Sequence, residues 1–218
     1  MLLYTENIET PLTAVTEDVD GVPQMYLEGI FMQADIKNRN NRVYPLQVLQ
    51  EAVSLYDTNY VSKNRAVGEL NHPTGPRVNL DKVSHMITSL MWEGTNVRGK
   101  ALILDKMPMG LMARNLMEGG VQLGVSSRGV GDIDKSTGAM RKFIATAVDI
   151  VHDPSAPDTF INGVMEGVEY EVEGGNIVQA QLIEHIKKTM HNAPARLIKE
   201  TQTACFEHYM ASLKFSDL

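Results

Sequence analysis

VQLGVSSRGVGDI (residues 121–133) and AMRKFIATAVDIV (residues 139–151) flank DKSTG at 134–138. Both flanks are rich in strand-forming residues, and the polar segment between them ends on a glycine, a composition suited to a tight turn. The pair reads as an antiparallel hairpin whose register decides which side chains share a face. If Ser136 and Ala139 pair across the turn, Ser126 lies opposite Asp149; a slip of one residue puts them on opposite faces. The local sequence leaves that register open.

Outward from the hairpin, other elements follow from periodicity. Residues 26–36 mix β-branched and aromatic residues as a strand does, and a polar loop follows at 37–42. From Pro45 the spacing of Leu46, Leu49, Val53 and Tyr56 predicts a helix over residues 45–58. Residues 83–92 and 100–105 read as strands and 110–118 as a helix stopped by Gly119-Gly120. Asn176 with Gln179 resembles a capping box, and Val178, Leu182, Ile186 and Met190 recur every four residues behind it. The expected division is a loosely attached acidic lead-in at 1–23, a mostly β body at 24–165 and a helical tail at 166–218.

Composition narrows the function classes. The chain has 218 residues, 43% of them hydrophobic, so it can bury a full core. A net charge of −7 argues against a dedicated binder of phosphate backbones, which needs clustered cations. A single cysteine, Cys205, rules out an internal disulfide framework and a multi-cysteine zinc site, and points to a reducing, intracellular compartment. No export signal and no membrane span is read.

Several residues are candidates for chemistry. Ser126 and Ser127 lie between Gly124 and Gly129, where backbone amides can approach a substrate carbonyl, although a glycine-rich strand bending in a small barrel accounts for the same pattern. Arg128 stands where the second glycine of a hydrolase elbow would be. A nucleophilic serine needs a base, and His72 in Gly68-Glu69-Leu70-Asn71-His72-Pro73 lies in a polar segment joining two elements. Asp149 interrupts an apolar run, and an acid there is either outward-facing or buried with a partner. His85 alternates with Val83 and Ile87 as a packed strand residue would. A zinc set of His72, Asp81 and His85 lacks any ligand signature, and Cys205 with His208 suits helix packing. No metal and no cofactor is expected.

Four segments in order, residues 38–45 (NRNNRVYP), 68–73 (GELNHP), 124–129 (GVSSRG) and 154–158 (PSAPD), make the stretch 24–160 resemble the prohead core serine proteases of large contractile-tailed phages. That family is related to the herpesvirus capsid maturation proteases. The resemblance implies an α+β fold, a mainly antiparallel β-barrel surrounded by helices, here with a helical C-terminal tail. It implies a serine endopeptidase that cuts scaffold, core and capsid proteins after glutamate in apolar-x-Glu sequences, inside the assembling prohead in the host cytoplasm. His72 would be the general base and Ser126, before Ser127, the nucleophile. Asp149 is preferred over His152 as the third member, and Arg128 and Gly129 would serve the oxyanion or the substrate. Self-processing is expected near Glu166-Gly167, with Leu116-Met117-Glu118-Gly119 a second matching sequence. A homo-oligomer is left open. The alternative is a non-enzymatic scaffold or capsid-assembly protein with a structural hairpin.

Overall fold

The computed structural model of the chain describes residues 1–7, 12–38, 40–152, 170–173, 176–179, 202–204 and 207. In order, the elements are β1 (Leu2–Asn7), β2 (Thr13–Val19), β3 (Val22–Gln33), α1 (Leu46–Asn59), β4 (Val67–Glu69), β5 (Val83–Glu93), β6 (Asn96–Ile103), α2 (Pro108–Glu118), β7 (Gly124–Ile133), β8 (Met140–Val151), β9 (Tyr170–Glu173) and β10 (Asn176–Gln179). They form one three-stranded sheet, β1-β7-β8, one five-stranded sheet, β2-β3-β6-β5-β4, and a β9-β10 pair. Every ladder is antiparallel. The fold is α+β.

The quoted segments form the expected hairpin, β7-β8, but its register is reached differently. Pairing opens at Ile133 with Met140, and irregularities at Asp132/Ile133 and Arg128/Gly129 each add a residue until Ser126 stands opposite Asp149. The second leaves Thr146 as the extra residue, and its hydroxyl donates to the Arg128 carbonyl at 3.1 Å. Gly129 permits this close packing: a Cβ there would lie 2.4 Å from the Ile144 carbonyl oxygen.

A closed barrel does not form among the described residues. Both larger sheets are open, and where β4 approaches β8 they share a single bridge, Leu70 with Ile150. β4 has three residues and an irregularity at Gly68/Glu69, too little regular strand for a continuous ladder on its second edge. Among the described residues, two longer helices pack on the sheets. α1 lays Leu49, Ala52, Val53 and Tyr56 against β8, and α2 packs on β5 and β6.

The first residues differ from the expected lead-in. β1 pairs along β7 with Leu3 and Tyr4 buried, and β2 folds back on β3 through Asp20 and Gly21, both at positive φ. β2 is an edge strand exposing mostly polar side chains, which is why its composition resembles a solvated tail. At the other end, Asn176–Gln179 pairs with Tyr170–Glu173, so Asn176 opens a strand and not a helix. Gly174-Gly175 between two strand-like segments was the overlooked signal, obscured by the recurrence of Val178 with Leu182. Residues 202–204 and 207 are helical; the rest of the expected tail lies outside the described residues.

The segment 38–45 serves packing. Val43 bridges to Ala139, Tyr44 meets the Phe143 ring edge-on at 5.0 Å, and Arg42 stands 4.7 Å over the Tyr4 ring. It ties the start of α1 to β1 and to the turn end of β8.

Candidate active site

Three elements bring the candidate residues together. Ser126 is on β7, Asp149 opposite it on β8, and His72 in the loop that leaves β4. His72 Nδ1 lies 2.7 Å from Asp149 Oδ2, and Nε2 lies 2.6 Å from Ser126 Oγ. A carboxylate only accepts, so Nδ1 carries the proton and Nε2 is left to accept from the serine hydroxyl. Ser127 is the next residue on a strand and projects to the opposite face, so it cannot share this arrangement. Asp149 is the carboxylate on His72; His152 is exposed at the end of the hairpin.

The site is dry. Ser126 and Asp149 are 0% exposed and the His72 side chain 2%. Burial alone would push the Asp149 carboxyl up, but the Arg128 guanidinium and the His72 imidazole outweigh it and hold the acid well below the usual carboxylate range. It also accepts from the Glu69 backbone N–H at 3.0 Å. An ionised Asp149 is what a developing imidazolium requires.

Arg128 has another place than sequence reasoning assigned. Its guanidinium is 0% exposed, donating from Nε to Asp149 Oδ2 at 2.8 Å, from Nη2 to Asp149 Oδ1 at 3.2 Å and Glu69 Oε1 at 3.5 Å, and from Nη1 to the Gly75 and Arg77 carbonyls at 2.8 Å each. All the nitrogens of this side chain are thus bonded within the protein. Gly129 lies inside the ladder on both edges, opposite Tyr4 and Ala145.

Two residues of the site were missed. Glu69 is 1% exposed; its Oε1 accepts from the Asn79 N–H at 2.9 Å and its Oε2 from Asn79 Nδ2 at 3.4 Å. Burial pushes the Glu69 carboxyl up, against these bonds and Arg128, which lower it. The available signal was an acid between Gly68 and Leu70 at the end of a strand run, next to the segment containing His72. His85 is fully buried, its Nε2–H donating to the Val148 carbonyl at 2.9 Å and its Nδ1 accepting from the Ser84 hydroxyl at 2.9 Å. Burial pushes it down to about 4, so it is neutral. With the ring nitrogens of His72 and His85 thus occupied, the zinc set of His72, Asp81 and His85 does not converge, and no metal-holding cluster of three acids, histidines or cysteines occurs among the described residues.

The other sequence candidates lie elsewhere. Glu118 ends α2 and pairs with Arg114 at 2.8 Å, so its scissile sequence is helical, not extended. Glu166-Gly167, the segment 154–158, Cys205 and His208 lie outside the described residues.

A family described as prohead core protein serine protease matches residues 7–169. The prohead core protein protease of Enterobacteria phage T4 is 38% identical over 154 residues, 66% of this chain and 71% of that one. Among solved structures, the bacteriophage T4 capsid assembly protease superposes with a TM-score of 0.64 at 34% identity, over 68% of this chain and 96% of that one.

Proposed function

Because the chain belongs to the prohead core serine protease family and is on that ground a capsid-maturation peptidase, we propose that Ser126 is its nucleophile, His72 its general base and acid, and Asp149 the residue that orients the imidazole. The observation that carries this reading is the continuous hydrogen-bonded line from Asp149 through His72 to Ser126. His72 Nε2 takes the Ser126 proton as Oγ attacks the scissile carbonyl carbon. When the tetrahedral intermediate collapses, His72 returns that proton to the leaving amine and an acyl-serine remains. Water, deprotonated by the same nitrogen, then attacks the ester, and as the new carboxyl terminus leaves His72 returns that proton to Ser126 Oγ. Asp149 stays ionised throughout and keeps Nδ1–H in place.

The substrates in this reading are scaffold, core and capsid proteins cut after glutamate in apolar-x-Glu sequences, within the assembling prohead in the host cytoplasm. The chain is also its own substrate, at Glu166-Gly167, and is made as a zymogen. Complete burial of Ser126 supports the last point: a peptide carbonyl reaches Oγ only after whatever covers the site has moved. The test is cleavage of a peptide containing Ile-x-Glu-Gly by the purified protein, with Ser126→Ala as control. Cleavage that survives Ser126→Ala unchanged would overturn the nucleophile assignment.

A further inference from the structure

His72 is the one member of the candidate triad that no strand holds. It sits in the connection between β4 and the 3-10 turn Leu80–Lys82, and loops are positioned by whatever few contacts they make. Its two short hydrogen bonds tolerate little displacement, since misplacing a reacting group by about 1 Å can cost on the order of a hundredfold in rate. Something must therefore fix this loop before substrate arrives.

We propose that Arg128 and Glu69 are positioning residues that clamp the 70–79 loop and set His72 between Ser126 and Asp149. The inference rests on the serine peptidase reading above. Glu69 closes the base of the loop: it is the last residue of β4, and its carboxylate holds the backbone and side-chain nitrogens of Asn79 ten positions later. Arg128 holds the middle, with Nη1 bonded to both the Gly75 and Arg77 carbonyls. Near His72 itself, Asn71 adopts φ 67 and gives its N–H to the Ile150 carbonyl at 2.8 Å. The loop is thus held at both ends and at the centre.

The clamp is referenced to the reacting groups. Arg128 is two residues from Ser126 on β7, so the two side chains leave the same face of the strand. The edge of its guanidinium grips both Asp149 oxygens, while Glu69, which receives Nη2, gives its own N–H to Asp149. One planar, forked group therefore sets the carboxylate and the loop together, which a lysine, with one nitrogen at the end of a flexible stem, cannot do. Tyr56 from α1 and His85 from β5 complete the surroundings of Asp149; burial keeps the phenol protonated and the imidazole neutral, so neither displaces Arg128 as the counter-charge. Fully buried charges are costly to retain for stability alone, and a positional role gives a reason for this set.

The experiment uses the full chain in three variants, Arg128→Lys, Glu69→Gln and Asn79→Ala, read by peptide-cleavage kinetics and by amide hydrogen exchange followed by mass spectrometry. The expected result is a fall in kcat of about tenfold to a hundredfold for Arg128→Lys and Glu69→Gln, less for Asn79→Ala, with KM within about twofold. Exchange across residues 73–78 should accelerate while β7 and β8 keep their protection. Unchanged kcat in both charge variants, or a fall in kcat with loop exchange at the wild-type rate, would overturn the clamp. If Arg128→Lys does not fold, the other two carry the test. If the wild-type chain neither processes itself nor, after removal of the residues beyond Glu166, cleaves the peptide, the serine peptidase reading of this site fails, and loop exchange still decides whether Glu69 and Asn79 hold the loop.

Discussion

Ser126 and Ser127 are adjacent, buried and chemically alike, and strand alternation alone separates them. Ser126→Ala should lower kcat by at least about 10⁴-fold, whereas Ser127→Ala should stay within about tenfold of wild type, both measured on the same peptide. Asp149→Asn should cost about 10⁴-fold while the protein stays folded, because an amide can present its N–H₂ to His72 and favour the wrong tautomer. His85 gives a prediction about stability. It is neutral when folded and its value falls from 6.5 to about 4, so the unfolded chain binds the extra proton in that window. Its contribution is complete above about pH 6.5 and is lost as pH falls to about 4, on the order of 3 kcal/mol. Asp149, held below the usual range, adds stability present above about 3.8 and lost as pH falls through its folded value. Urea midpoints against pH should show the first loss, and His85→Gln should flatten it. A slope between pH 4 and 6.5 unchanged by His85→Gln would exclude His85 as its origin.

At the scale of elements, β4 has the smallest margin. It reaches β8 with no room for a side chain at Gly68, where a Cβ would stand 2.1 Å from the Val148 carbonyl oxygen and 2.5 Å from the His85 ring. The carbonyl is backbone and has nowhere to go. Gly68→Ala should therefore destabilise the fold by about 1–3 kcal/mol. It should also lower kcat in the protein that remains folded, because the Glu69 N–H is drawn off Asp149. A denaturation curve and an active-site titration separate the two effects. The long elements were legible where one period dominated: Leu49, Val53 and Tyr56 face the core of α1 as their spacing predicts, and α2 ends at Gly119. The N-terminal strands were not, because β1 owes its place to pairing with β7 more than a hundred residues away, and β2, being an edge, needs few apolar residues.

For the whole molecule, the buried candidate triad and the proposed self-processing make a joint prediction. Full-length Ser126→Ala protein should keep its 24.2 kDa mass, while the active chain should lose the residues beyond the processing site. A fluorophosphonate probe should label Ser126 slowly before processing and rapidly afterwards. Equal labelling rates, or active protein still carrying Lys214 and Phe215, would contradict the zymogen. The α+β class, the β7-β8 hairpin and the candidacy of Ser126, His72 and Asp149 were legible in the sequence, because turn chemistry and side-chain period are local and the motifs occur in a recognisable order. Only the tertiary structure decided the rest. It set the register through two irregularities that no local pattern announces, left the sheets open because β4 is too short to extend a ladder, and turned Arg128 under the triad, where Glu69 and two loop carbonyls await it. His72 meets Ser126 and Asp149 across 54 and 77 residues of chain, and separations of that kind are settled by packing, which no single segment contains.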